Sequence, residues 1–175
     1  MCFASFLNIE FWQQLVTTAI GVALGIPVAL WIERQIEGDK QKSERKELAE
    51  AVLDSLSKNL GLVDQLIREL AQDGYTPLYP VDLTILDATT SRRYELLKKS
   101  DVVHAIDHAR FELIHLNGKL ELMRNSLSGV DTRGQAFGFY LQVRESIKKH
   151  LPIVKQAIES AAQSLQNEKT KWESE

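Results

Sequence analysis

The stretch FWQQLVTTAIGVALGIPVALWI, Phe11 to Ile32, contains no charged residue, whereas Glu33 to Glu50 is dense in charge. A run of about 22 uncharged residues makes a helix of ~33 Å, against a hydrocarbon core of about 30 Å. Trp12 and Trp31 stand at its two ends, roughly 28 Å apart along a helix, where amphipathic rings settle at the headgroup level. A buried core helix seldom avoids charge for so long, so the sequence predicts a transmembrane helix over residues 11–32. The preceding MCFASFLNIE holds no Lys or Arg and does hold Glu10, the wrong charge for a cleaved secretory leader. Behind the stretch come Arg34, Lys40, Lys42, Arg45 and Lys46. The positive-inside rule then sets residues 1–10 on the non-cytoplasmic side and everything from Glu33 onward in the cytoplasm. The expected address is the cell inner membrane, crossed once, with the lipid bilayer as the first partner.

One face of that helix is made of small residues. Thr17, Gly21, Gly25 and Ala29 recur every four positions, and Gly21 with Gly25 is a GxxxG pair. In lipid no hydrophobic force acts between helices, so association depends on close backbone approach along such a stripe. These four residues are the expected oligomerisation face. Pro27 removes one backbone hydrogen bond and is expected to kink the helix.

The rest of the chain reads as all-α. From Asp39 to Gln72 the apolar positions Leu48, Val52, Leu56, Leu60, Val63, Ile67 and Leu70 step by three or four, the pattern of a long amphipathic helix. Only Gly38 separates it from the span. DGYTPLYPVD is a loop, with Pro77 and Pro80. Short helices are expected at Leu83–Thr90 and Arg92–Lys99. A longer one follows, capped by Ser100 or Asp101, with Val102, Ile106, Ala109, Leu113, Leu116, Leu120, Met123 and Leu127 inward. After the turn SGVDTRG the last helix runs from Gln135 toward Asn167. Leu141, Ile147, Leu151, Val154, Ile158, Ala161 and Leu165 face inward, and Pro152 predicts a kink or break. The expected division is a short terminus at 1–10, the transmembrane helix at 11–32, an antiparallel cytoplasmic helical bundle at 33–168, and a frayed tail at 169–175.

Composition narrows the chemistry. The net charge is −3, so no global basic field holds nucleic acid. The single cysteine, Cys2, excludes an intramolecular disulfide and a multi-cysteine zinc site. No glycine-rich phosphate loop, HExxH, GxSxG or acidic calcium loop is present, and no cofactor is expected. His104, His108 and His115 fall within about 40° of one another on their helix, roughly opposite the apolar stripe, with Asp101 and Glu112 on the same side. Such an i, i+4 pair can bind a transition metal, and stacked imidazoles repel below pH ~6. The plainer reading, a solvated polar face, is preferred, and no metal site is assigned.

Two Arg–His spacings remain. Arg110 and His115 read RFELIH; Arg144 and His150 read RESIKKH, in the last helix and just before Pro152. The second resembles the HEPN ribonuclease superfamily, whose helical bundles carry an R-x4-6-H motif and pair two copies. The resemblance implies that Arg144 holds a scissile phosphate while His150 moves a proton, making them the candidate catalytic pair, with RNA as substrate. Apart from the resemblance, RESIKKH reads as a solvated helix edge, the reading preferred here.

The whole plan, an N-terminal span followed by a helical domain, resembles two groups. One is the HEPN-like membrane-pore accessory proteins of type VI-B CRISPR systems; the other is the small bacterial single-span membrane proteins. The first implies a ring of subunits, membrane permeability and a role in antiphage defence. The leading expectation, which rests on the small-residue stripe and the long helix behind the span, is a membrane-anchored structural protein that assembles into a homo-oligomer. The alternatives are a tethered HEPN-like RNA-cleaving or RNA-binding domain and an adaptor for a cytosolic protein partner.

Overall fold

The computed structural model describes residues 9–72, 79–97, 99–128 and 135–174, and side chains within them except at 9–26, 95, 96, 127, 128, 135 and 136. The described residues form only helices and connections: α1 (Ile9–Ala71), α2 (Thr84–Ala88), α3 (Thr90–Leu96), α4 (Ser100–Ser128) and α5 (Gln135–Ser174). The all-α expectation holds. The chain divides into two compact units, Met1–Ser43 and Glu44–Glu175.

In the first unit α1 continues through Pro27 and Gly38. Every described side chain, from 27 to 43, is exposed. Val28, Leu30, Trp31, Ile32 and Ile36 are among them, at 46–63%.

The second unit is a bundle in which each long segment runs antiparallel to the next. From Glu44, α1 buries Leu48, Val52, Leu56, Val63, Leu66 and Leu70, one stripe at steps of three and four. Ile67, expected inside, is 36% exposed, and Leu66 takes the inward position. The chain then returns down α4, with Val81 held by Asn117, Asp87 by Arg110 and Arg93 by Asp107. Descending partners against ascending residue numbers make this segment antiparallel to α4. The hairpin of α4 and α5 is set in register by Glu112 against His150 and Lys99 against Glu168, each at 2.6 Å. Lys155 on Asp64 and Lys169 on Glu50 run α5 antiparallel to α1 as well.

α4 buries its predicted stripe from Val102 to Met123; Leu127 lies outside the described side chains. On α5 the inward positions are Tyr140, Val143, Ile147, Leu151, Val154, Ile158, Ala161 and Leu165. Leu141, expected inside, is 40% exposed, because Tyr140 and Val143 fix a phase that leaves it about 100° away. Pro152 does not break α5. Its ring faces solvent, and Ile147, Leu151, Val154 and Ile158 hold both sides of it in the core. The tail expected to fray from 169 instead continues as helix to Ser174. Lys169 bonds Glu50 at 2.9 Å and Trp172 packs against the core, which supplies the tertiary support a terminal turn needs.

Candidate functional site

One polar cluster of the bundle lies at the α4–α5 seam. His150 follows Ile147 by three positions, at the edge of the core stripe, and is 8% exposed. Its Nε2 lies 2.6 Å from Oε2 of Glu112. A carboxylate can only accept, so the ring proton sits on Nε2. Nδ1 is enclosed and has no hydrogen-bond partner among the described residues. The same Glu112 faces His108, whose Nδ1 is 3.9 Å from Oε1 on a side chain 60% exposed. His115 is exposed; its ring lies 4.3 Å from that of Phe111 and 6.5 Å, edge-on, from that of His150. His104 and Asp101 lie exposed further down α4. The sequence-derived histidine face is thus real as a surface. One carboxylate ties part of it to a buried imidazole from the neighbouring helix. A carboxylate-oriented imidazole is the arrangement used for proton transfer, but the free nitrogen of His150 points into protein. Among the described residues no group of three His, Cys, Asp or Glu is disposed to hold a metal ion.

Arg144 is 9% exposed and points elsewhere. Its Nη2 donates to the carbonyls of Leu70 at 3.1 Å and Gln72 at 2.5 Å. These are carbonyls at the C-terminus of α1, where a helix lacks internal donors and a cation is favoured by the macrodipole. Arg144 and His150 therefore bind different elements, and RESIKKH is not the solvated edge preferred from sequence: both its ends are buried. Arg110 turns away from His115 and bonds Asp87 at 2.6 Å.

Of the residues expected in the membrane, Thr17, Gly21, Gly25 and Trp12 lie outside the described side chains. Ala29 and Trp31 are exposed. Among the described residues no helix is long and apolar enough to cross a membrane, and most side chains of Phe11–Ile32 lie outside that set.

Two polar devices were not singled out from sequence. Asn59 is fully buried and makes a reciprocal pair with Asp82, donating to its carbonyl at 2.7 Å and accepting from its amide at 2.9 Å. Asn117 does the same for Val81, at 3.0 and 2.8 Å. Together they satisfy backbone groups of Val81 and Asp82, two residues that lie outside any helix. The signal was present: Asn59 stands in the phase of the apolar stripe, between Leu56 and Val63. The second device is Arg93, fully buried, with Asp107 at 2.9 Å, the Leu86 carbonyl at 2.7 Å and the hydroxyls of Thr89 and Thr90 around it. Burial lowers its pKa from the usual arginine range and Asp107 offsets this only in part. Comparison with family models, curated proteins and solved structures finds no match.

Proposed function

We propose that the chain is a membrane-anchored helical protein that assembles with copies of itself. The observation that carries this reading is the uncharged stretch Phe11–Ile32, which runs into a fully exposed helical segment. There Val28, Leu30, Trp31, Ile32 and Ile36 stand open at 46–63%. Five large apolar side chains within one short segment is a surface that water disfavours and a bilayer covers. Trp31 sits where the headgroups would be, and the basic residues Arg34 to Lys46 lie on the cytoplasmic side. The bundle from Glu44 onward is then the cytoplasmic domain of a single-pass inner-membrane protein.

Self-association rests on Thr17, Gly21, Gly25 and Ala29, the small face along which two such helices can approach closely. A ring of copies around a lumen, acting in antiphage defence, is the further step that the resemblance implies. Such a lumen would have apolar and small residues at its wall and would gate by wetting. The anchor is tested by alkaline carbonate washing of membranes holding the full chain. Retention in the pellet is expected, and release into the wash would remove the reading.

The second reading, a tethered HEPN-like domain that cleaves or binds RNA, draws on the part-buried Glu112–His150 pair as a proton-transfer unit. Arg144 is spent on the end of α1, which counts against a joint role. RNA incubated with the purified protein and with an Arg144→Ala/His150→Ala variant separates the cases. Identical traces would leave the anchored oligomer or, if a stable cytosolic protein co-purifies, an adaptor.

A further inference from the structure

α4 carries two stripes. The inward one, from Val102 to Met123, steps alternately by four and three residues and is buried throughout. Two positions on from its members, and so about 200° round the helix, stand His104, His108, Phe111, His115, Gly118 and Leu122. This outer stripe keeps the same alternation of four and three, and every member of it is exposed. Phe111 is 54% open and Leu122 51%. The rings of Phe111 and His115 lie 4.3 Å apart, and a Cβ at Gly118 would meet nothing within 4 Å. On the margin of α5 that helical phase and the His150–Glu112 register set beside this stripe, Phe139 and Ile153 are open to 48% and 51%. Asp101 closes the stripe at one end, and half-buried Lys119 and exposed Lys149 flank it. Glu112, behind it, is held by His150 at 2.6 Å.

We infer that the outer stripe of α4 is where the bundle meets the bundle of a second copy. An average step of 3.5 residues is the spacing at which one helix packs along another, its members serving as knobs. The area agrees. A half-open phenylalanine, leucine or isoleucine shows on the order of 100 Å², so Phe111, Leu122, Phe139 and Ile153 together show about 400 Å². A standard interface takes roughly 800 Å² from each partner, about 60% of it apolar. The four anchors supply most of that apolar share, and the ring carbons of His104, His108 and His115 supply the rest. A two-fold contact uses the same patch on both sides, so one such stripe per chain suffices. The inference rests on the anchored, self-assembling reading, which holds copies side by side, and adds to it a contact made outside the span.

The test uses the full chain in membranes, in a Cys2→Ser background that removes the single cysteine. A thiol is placed by His115→Cys on the outer stripe, or by Leu141→Cys on the other flank of α5, and a short bis-maleimide is added. Cross-linked pairs of the chain are expected at 115 and not at 141. Phe111→Glu/Leu122→Glu replaces two anchors with like charges. Loss of such anchors weakens pairing by about thirty-fold or more, so the pairs at 115 should vanish. Co-expression with a differently tagged Phe111→Lys/Leu122→Lys chain should restore them between the two tags, which a misfolded bundle could not do. Pairs at 115 that survive the glutamates, or that form equally at 141, overturn the inference. A multimeric mass in detergent with no pairs at 115 overturns it and leaves self-assembly standing. Joining at 115 to a different protein overturns it in favour of an adaptor. A single-chain mass overturns self-assembly and this inference together.

Discussion

Arg93 offers the sharpest test of how the bundle is held. Its guanidinium is fully buried, and Asp107, bonded to it at 2.9 Å, has a side chain 27% exposed. Asp107→Ala would leave the buried charge with only a carbonyl and two hydroxyls. Breaking one side of a buried ion pair costs about 3–5 kcal/mol, and the partial exposure of Asp107 argues for the lower end. At roughly 3 °C per kcal/mol for a chain of this size, the melting temperature should fall by about 10 °C. Arg93→Met removes the charge and keeps most of the volume. Asp107 then keeps the Tyr94 hydroxyl, and the Leu86 carbonyl keeps the hydroxyl of Thr90. That loss should be only about 1 kcal/mol, since a buried ion pair is often replaceable by a packed apolar group. The double variant should resemble Arg93→Met, giving a coupling of about 3 kcal/mol. Urea titrations of the detergent-solubilised chain, followed by circular dichroism, measure all three. If Arg93→Met proved as damaging as Asp107→Ala, the assignment of the cost to an uncompensated charge would be wrong.

Three further outcomes follow from the same structure. Asn59→Leu keeps the volume but strands the amide and carbonyl of Asp82, and should lose about 2–3 kcal/mol in the same titration. Leu141→Gln should fall within about 0.5 kcal/mol of the parent, whereas Ile147→Ala, from a fully buried position, should cost about 2–4 kcal/mol. Burial pulls the Glu168 carboxyl upward, but Lys99, with Lys171 beside it, outweighs this and holds it below its usual value of 4.5. A carboxyl lowered in the folded state contributes stability that is complete above its unfolded value and is lost as pH falls through the lowered one. Glu168→Gln should therefore flatten the acid limb of the stability profile below about pH 5, read from melting temperatures across pH.

The helices and most of the core were legible because burial writes a period of three and four into the chain. Val102 to Met123 carries that period almost without interruption, and the structure follows it residue for residue. Boundaries and phase failed where local pattern is ambiguous. Leu141 sits beside Tyr140 and Val143, and only the neighbouring helices decide which of them turns inward. The tail looked polar enough to fray, yet Lys169 and Trp172 find partners on the rest of the bundle, a long-range gain that periodicity cannot report. The same limit governs the site. Glu112, His108 and His115 were readable as one face of α4, and His150 as a candidate on α5. Nothing local says that Glu112 takes His150 while Arg144 closes the end of α1. Asn59 was readable in principle, since a polar side chain in the phase of an apolar stripe must find its hydrogen bonds inside.

The claim of an anchored, self-assembling protein is met most directly by the mass of the full chain extracted in mild detergent, measured by light scattering with the detergent contribution removed. The expected result is a discrete whole-number multiple of the chain mass that falls apart in a Gly21→Leu/Gly25→Leu variant. A single chain mass, unchanged by that variant, would contradict it.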